Sequence, residues 1–423
     1  MEAKESPDNS RVITVIATVT ALSLLGDSML YIALPLYWEE AGLDSMWQVG
    51  ILLSINRFVR LPFNPLVGWV YKKISLKSGL LIAVILGGLT TLGYGLLEGF
   101  IAWVLLRGLW GIAWSLFRIG GLSAVAFLAD ERHRGQSMGL YNGVYRLGSL
   151  GGMLLGGILV PFIGLSTVSM IFGVLTLLGI PLIMYFLKTK EKPHKAEKVP
   201  VLDKAILLQS TFKYKLSIIT TGFFITMLYQ GVFTSTISLV IEQVHGNHIP
   251  IFGTVLSATL LSGIILSVRW VWEPSLGKLF GQWSDGPRGR IPIFVISLAF
   301  ASLTFGMISS NLTISVWVII TFFVMIGATS ITTVMDAIAL DAAKTANVVS
   351  FLTVYSIAQD VGAALGPFIS YLILQFKLGF TYLYWGGAGI FILLAILWSI
   401  IHLSEKKIKY KKAESVIIHH FKH

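Results

Sequence analysis

The sequence predicts an all-α polytopic membrane protein, with twelve transmembrane helices in two six-helix, pseudo-symmetric halves. Three observations predict it. Apolar runs of about 20 residues recur along the chain, each long enough to cross roughly 30 Å of hydrocarbon as a helix. Basic residues sort into alternate loops, and charged and glycine positions of the first half return in the second. Of 423 residues, 55% are hydrophobic and 13% charged, with a mean hydropathy of +0.78; a soluble domain carries about 25% charged residues. The runs are continuous rather than alternating in short segments, which favours helices over barrel strands.

The expected spans are 13–38, 46–71, 78–97, 99–129, 136–162, 165–187, 215–243, 250–281, 290–309, 312–343, 346–376 and 379–403. The opening "MEAKESPDNSRV" has no basic n-region with a cleavage site, so the first run is expected to be a retained helix. One set of loops holds Lys72, Lys73 and Lys77, then Arg132 and Arg134, eight lysines from Lys188 to Lys215, Arg288 and Arg290, and Lys344. The tails add Lys4, Arg11 and six lysines from Lys406 to Lys422, whereas the opposite loops hold only Lys377. This asymmetry puts both termini and the 188–215 loop in the cytoplasm of a cell with the protein in its inner membrane. The net charge of +11 therefore reads as topology, not as a nucleic-acid footprint. The expected organisation is an N-terminal bundle (1–187), a solvated basic linker (188–214), a C-terminal bundle (215–403) and a basic tail (404–423). The linker has room for a short amphipathic helix at the membrane surface.

The halves repeat. Arg60-x4-Pro65-x2-Gly68 in span 2 returns as Arg269-x4-Pro274-x2-Gly277 in span 8, 209 residues on. Gly148-x3-Gly152-x3-Gly156 in span 5 parallels Gly362-x3-Gly366-x3-Ser370 in span 11, and Tyr141 parallels Tyr355, at an offset of 214. Parallel halves imply a substrate site at their interface and alternating access by rocking.

On these residues the chain resembles the major facilitator superfamily over essentially its whole length. Gly68, Val70, Tyr71, Lys73 and Lys77 match the family's span 2–3 loop, which departs at the acidic position, where Lys72 stands. Asp285 in "SDGPRGR" is the acid that would do that job from the second half. "LLRGLWG" resembles the family's span 4 pattern at Arg107 and Gly111. "GSLGGMLLGG" resembles its exporter motif at Gly148, Gly152, Gly156 and Gly157, with Met153 for proline, and Gly366-Pro367 keeps that dipeptide in span 11. The small residues suit close helix packing. The resemblance implies that spans 1, 4, 7 and 10 line a cavity, so Asp27, Arg107, Arg118 and Asp336 look inward. Arg60, Arg146, Arg269 and Asp360 fall on the supporting spans.

Within the spans stand Arg57, Arg60, Arg107, Arg118, Arg146 and Arg269 against Asp27, Glu273, Asp336 and Asp360. Each charge costs about 2.5–3.5 kcal/mol on insertion scales, so each needs a partner or a water-filled cavity. Arg107 and Arg118, eleven residues apart, share a face of span 4 with Trp114 between them, and Arg57, Arg60 and Asn64 share a face of span 2. Arg146 corresponds to Asp360 across the repeat, which suggests a cross-half pair that gates or simply stabilises one conformation. Asp27 is the one carboxylate of its span, read either as a proton-coupling group or as a static partner for Arg107 or Arg57; Asp336 is the second proton-coupling candidate.

The arginine surplus predicts a small-molecule substrate that is an organic anion or an anionic amphiphile, held by Arg57, Arg107 and Arg118. Trp110, Trp114, Tyr229 and Phe233 contact its apolar part or are ordinary packing aromatics. Span 7 adds Thr226, Gln230 and Gly231, and span 10 adds Thr332 and Thr333. Zero cysteines exclude disulfides and thiolate metal sites, and the loop pair His245 and His248 reads as polar residues rather than metal ligands. No phosphate-binding loop, nucleophile elbow or zinc helix motif is present, which argues against an ATP-driven pump or an enzyme. The expectation is a monomeric secondary transporter in the lipid bilayer, driven by a proton or ion gradient without a cofactor. Export is preferred over proton-coupled import, with a lipid flippase or a non-transporting sensor as alternatives.

Overall fold

The computed structural model of the protein describes residues 7–129, 134–187, 209–246, 249–251, 254–287, 289–343 and 348–420. Lys4, Arg132, His248, Arg288, Lys344, Lys422 and most of the 188–214 linker lie outside the described residues. The helices are α1 (Pro7–Ala33), α2 (Met46–Val70), α3 (Leu76–Leu96), α4 (Phe100–Leu128), α5 (Arg134–Ile163), α6 (Leu165–Leu177) and α7 (Gly179–Phe186). They continue as α8 (Gln209–Thr226), a π-helical turn (Met227–Phe233), α9 (Thr234–His245), α10 (Ala258–Ser284), α11 (Arg290–Gly306), α12 (Ile314–Ala343), α13 (Val348–Ile373) and α14 (Gly379–His420).

Nine helical stretches among the described residues are long and apolar enough to cross a membrane by composition alone. The long helices outside that set are α2, α10 and α13, which carry Arg57 and Arg60, Arg269 and Glu273, and Asp360. Span 8 starts later than expected. Residues 249–256 instead contribute two short antiparallel strands, β1 (Ile249–Ile251) and β2 (Thr254–Leu256), with Ile249 opposite Leu256. Pro250 lacks the backbone donor a helix would use there, and β-branched Ile and Val residues favour the strand.

The chain packs as two compact units. One holds residues 1–201, 226–271 and 357–377; the other holds 202–225, 272–356 and 378–423. In the first unit, α1 lies along α5 in a parallel register set by glycine. A Cβ at Gly148 would fall 2.1 Å from the Ala21 carbonyl oxygen, and one at Gly152 would fall 2.3 Å from that of Leu25. Gly156 faces Met29 in the same row. The repeat recurs in the packing: Gly366 on α13 abuts Gly231 and the Met227 carbonyl in the π turn. Such contacts let backbones approach where hydrocarbon offers no hydrophobic drive. Gly111 likewise brings α4 onto the Asn56 backbone of α2. Gly68 and Gly277 differ, since a side chain at Gly68 would meet nothing within 4 Å and Gly277 has only Thr333 at 3.5 Å. Gly362 is buried on α13.

A second repeated device was not read from the sequence. Trp103 and Trp317, both fully buried, each donate an indole N–H to a carbonyl just upstream, of Leu97 at 3.0 Å and Ile308 at 2.9 Å. Elsewhere Gly42 and Gly99, at φ +68° and +94°, let the α1–α2 and α3–α4 loops touch, with the Gly99 N–H donated to Ala41 at 2.9 Å.

The glycine contacts make a stability prediction. Gly148→Val must push α5 off α1, at a cost of about 1–3 kcal/mol or more. Gly68→Val should leave the thermal unfolding midpoint of detergent-purified protein unchanged, and equal shifts for the two would refute this account of the packing.

Candidate functional site

The most enclosed ion pair sits where α1, α2, α3 and α4 meet. Arg107 is 0% exposed and Asp27 only 7%. Arg107 Nη1 donates to Asp27 Oδ1 at 2.5 Å, and its Nε donates to the Leu52 carbonyl at 2.8 Å. Asn56 Nδ2 donates to the same Asp27 oxygen at 3.2 Å. The indole of Trp110 lies against the guanidinium at 5.9 Å, and Tyr94, stacked on Trp103 at 4.9 Å, stands next to Arg107. Of the two partners expected for Asp27, the structure joins it to Arg107. Gly111 produces this geometry, because close approach of α4 to Asn56 brings the preceding turn, with Arg107, up to Leu52.

Arg107 and Arg118, expected on one face of span 4 with Trp114 between them, stand three turns apart on α4 and are linked through the indoles of Trp110 and Trp114. Arg118 is half-buried and turns to α5, where it donates to Tyr145 Oη at 3.2 Å. Beside it runs an aromatic column. Trp110 and Trp114 stack at 5.8 Å with an interplanar angle of 8°, and Tyr145 meets Trp114 edge-on at 6.0 Å. Trp110, Tyr229 and Phe233 are buried, whereas Trp114 keeps a partly open face.

A third cluster joins α1, α2, the π turn and α13. Arg57 Nε donates to Tyr31 Oη at 3.3 Å, and its Nη1 reaches Gln230 Oε1 at 3.5 Å. Arg60 pairs with Asp360 at 3.6 Å. This corrects the expected Arg146–Asp360 pair. Because α2 and α13 run antiparallel with Gly50 against Pro367 and Tyr371, Arg60 arrives opposite Asp360. Arg146 is exposed and lies 5.4 Å from the Trp270 ring centre, with Arg269 5.8 Å from the same ring. It sits two residues from Gly148, hence about 200° around α5 from the face that packs on α1.

In the second unit, Tyr355 Oη donates to Asp336 Oδ1 at 2.8 Å, with its ring seated over Gly222. Asp285 is mostly exposed and pairs with Arg290 at 3.0 Å; Arg290 also reaches Asp341 at 3.0 Å. Glu273 lies on α10. This unit has a cavity of about 770 Å³ walled by Phe280, Trp283, Ile293, Ile296 and Phe300, with no charged residue in its lining. It is therefore not where the intramembrane charges act. No metal-competent group of three ligands occurs among the described residues. Asn56, Tyr31, Tyr94 and Tyr145 were missed by the sequence reading. For two of them the signal was adjacency: Asn56 precedes Arg57, and Tyr145 precedes Arg146.

Helices long and apolar enough to cross a membrane, with charged side chains within several of the long helices, define a multi-pass membrane protein. A family model for the Major Facilitator Superfamily matches residues 16–278 and 275–422, and the chain belongs to that superfamily. It is 27% identical over 160 residues to the human chromaffin granule amine transporter, covering 37% of this chain and 30% of that protein. It is also 27% identical over 146 residues to the uncharacterized MFS-type transporter YcaD of Escherichia coli O45:K1, covering 34% of this chain and 38% of that one. These matches span about a third of each curated relative's length. Among solved structures, a bacterial homolog of the human lysosomal transporter Spinster, inward-facing and unoccupied, aligns with TM-score 0.69 at 15% identity over 94% of this chain and 96% of that chain. A POT family transporter in complex with 5-aminolevulinic acid aligns with TM-score 0.73 at 11% identity, over 94% and 96%. A D-xylose-proton symporter aligns with TM-score 0.69 at 14% identity, over 91% and 96%. At these identities the likeness is one of fold. The family and these neighbours are transporters, not enzymes.

The buried pair carries its own prediction. Arg107→Ala removes the guanidinium that pairs with buried Asp27 and should destabilise the purified protein by about 3–5 kcal/mol. Arg107→Gln combined with Asp27→Asn should recover most of that loss in a thermal melt. A double variant as unstable as the single one would mean that packing, not charge, holds the site.

Proposed function

We propose that the protein exports an organic anion or amphiphile by alternating access, coupled to protons, as a monomer in the inner membrane with both termini cytoplasmic. Bundles 1–187 and 215–403, joined by the 188–214 linker, would be the rocking halves. The observation that carries this reading is the company Arg57 and Arg118 keep. Their hydrogen-bond partners are neutral groups, Tyr31 and Gln230 for one and Tyr145 for the other. A guanidinium held by neutral partners inside a span retains its charge for an anionic ligand. The column of Trp110, Trp114 and Tyr145 beside Arg118 suits an apolar or aromatic portion. Tyr229 and Gln230 in the π turn bring span 7 to the same task.

Asp27 is the preferred coupling group and Asp336 the second, with an ion gradient as the energy source and no cofactor. A proton on Asp27 cancels the charge that Arg107 and Asn56 satisfy, so protonation and separation of that pair go together. A fold neighbour named for proton symport is consistent with such coupling. Arg60 with Asp360 forms the gating pair, and Arg146, Arg269, Glu273 and Asp285 are the other ion-pair positions. Import by proton symport uses the same residues and differs in the sign of the gradient response.

Liposome flux tests this, using the anion that most raises the melting midpoint in a screen of anionic metabolites. Asp27→Asn keeps an acceptor oxygen for Arg107 and should lose proton-driven flux while anion exchange per folded protein holds; intact proton-driven flux in that variant rejects the coupling assignment. Arg118→Ala should weaken anion binding roughly tenfold or more, the scale of one charged hydrogen bond, and more than Arg60→Ala does. Equal losses, or none at Arg118, reject the site.

A further inference from the structure

The cavity between α10, α11 and α12 lies within one compact unit, since its walls run from Phe280 to Ser330. Its volume of about 770 Å³ falls in the range of small-molecule pockets, about 300–1,000 Å³. Phe280 and Trp283 on α10 meet edge-on at 5.6 Å, and Phe300 stands on α11. Trp283, Ile296 and Phe300 are exposed apolar side chains, so the cavity opens toward hydrocarbon. Charge bounds it at one end. Arg290, one turn before Ile293 on α11, reaches Asp285, Asp341 and the Ala337 carbonyl. Ala337 lies two turns beyond Ser330 on the same face of α12. These charges answer one another, and none lines the cavity.

The hydroxyls in the wall are not equivalent. Ser297 and Ser330 are both buried, with their oxygens 2.8 Å apart. Ser297 Oγ donates to the Ile293 carbonyl at 2.9 Å. A hydroxyl has one proton, so Ser330 is the donor of the shared bond and its own lone pairs stay open. Other hydroxyls of α12 turn back to their own helix, as Thr329 does to Met325 and Thr332 to Ala328. Among the described residues, the hydrogen-bond partner of Ser330 is Ser297. Gly327, one turn earlier on the same face, puts no side chain over it. An apolar, aromatic cavity thus presents one buried acceptor.

We propose that this cavity binds a neutral, largely aromatic molecule with one O–H or N–H donor, of the class of phenols and aryl alcohols, and that the donor bonds to Ser330 Oγ. The rings of Phe280, Trp283 and Phe300 offer edge-on and offset contacts to an aromatic ligand. An ionised ligand would lose its hydration with no counter-charge in the walls. A ring without the donor fits the space but forgoes the bond to Ser330. The site is apart from the intramembrane arginines, and it stands whichever way the transported anion moves.

The full-length protein in nanodiscs is titrated with 4-bromophenol at neutral pH, where a phenol keeps its proton, and with bromobenzene, which has no donor. Bromine in contact with an indole quenches its fluorescence. The chain has twelve tryptophans, so Trp283→Phe isolates the signal of the cavity. The wild type should show saturable quenching by both probes, at lower concentration for bromophenol, and Trp283→Phe should lose the saturable part. Ser330→Ala should need roughly two- to tenfold more bromophenol, the scale of one neutral hydrogen bond, and the same bromobenzene as the wild type. Alanine is the best helix former, so this substitution does not threaten α12. The proposal fails if quenching in the wild type is not saturable or survives in Trp283→Phe. Equal affinities of the wild type and Ser330→Ala for bromophenol would make the cavity a groove for lipid chains without polar selection and overturn it. An equal loss for both probes in Ser330→Ala would mean repacking rather than a lost hydrogen bond, and overturns it as well.

Discussion

A guanidinium group cannot rest in hydrocarbon, and much of this protein is arranged around that fact. Arg107, the most deeply enclosed, has two acceptors on neighbouring helices: the Asp27 carboxylate oxygen, itself held by the Asn56 amide, and the Leu52 backbone carbonyl. Arg60 has a carboxylate at longer range, in a more open setting. Among the described residues, the hydrogen-bond partners of Arg57 and Arg118 are neutral, with Asp360 and Asp27 near Arg57. The fully buried cation has a carboxylate at hydrogen-bond distance, and the half-buried ones have a longer ion pair or neutral partners.

Those placements depend on glycine. Gly111 lets α4 approach Asn56 closely enough for Arg107 to reach α2, and the row of Gly148, Gly152 and Gly156 fixes α5 against α1. The same row then decides where Tyr145 and Arg146 point, one toward Arg118 and the other toward Trp270. In the second half Gly231 and Gly366 repeat the approach with backbone on both sides. Packing by small residues and placement of charge are thus one construction, and membership of the Major Facilitator Superfamily follows from the chain as a whole.

The helical class and the repeat were legible in the sequence because apolar length and recurring glycine spacing are local signals. The span 8 boundary was not, because an apolar stretch such as 249–256 reads alike as helix end or strand until its partner strand is known. Arg107 and Asp27 were both visible, but not that they meet, since that depends on how α1, α2 and α4 pack. The Arg146–Asp360 expectation shows the limit most clearly. Equivalence across a repeat says which residues occupy matching positions; antiparallel register between α2 and α13 decides which of them touch, and it brought Arg60 to Asp360 instead. Neutral partners such as Tyr31 and Tyr94 carry no pattern of their own and emerged only from contact.

The π turn at Met227–Phe233 interrupts one long membrane crossing with a stretch wound wider than its flanks. Thr234 Oγ1 clasps the Tyr229 carbonyl five positions back, and Ser235 Oγ clasps that of Gly231, so hydroxyls secure the widened coil from one side. Tightening it to ordinary winding would carry Tyr229 and Gln230 around the axis by about 100°, one residue's worth of rotation, without unfolding the segment. Gln230 would then leave Arg57, and the helix would work as a dial whose two settings present different side chains to the same neighbour.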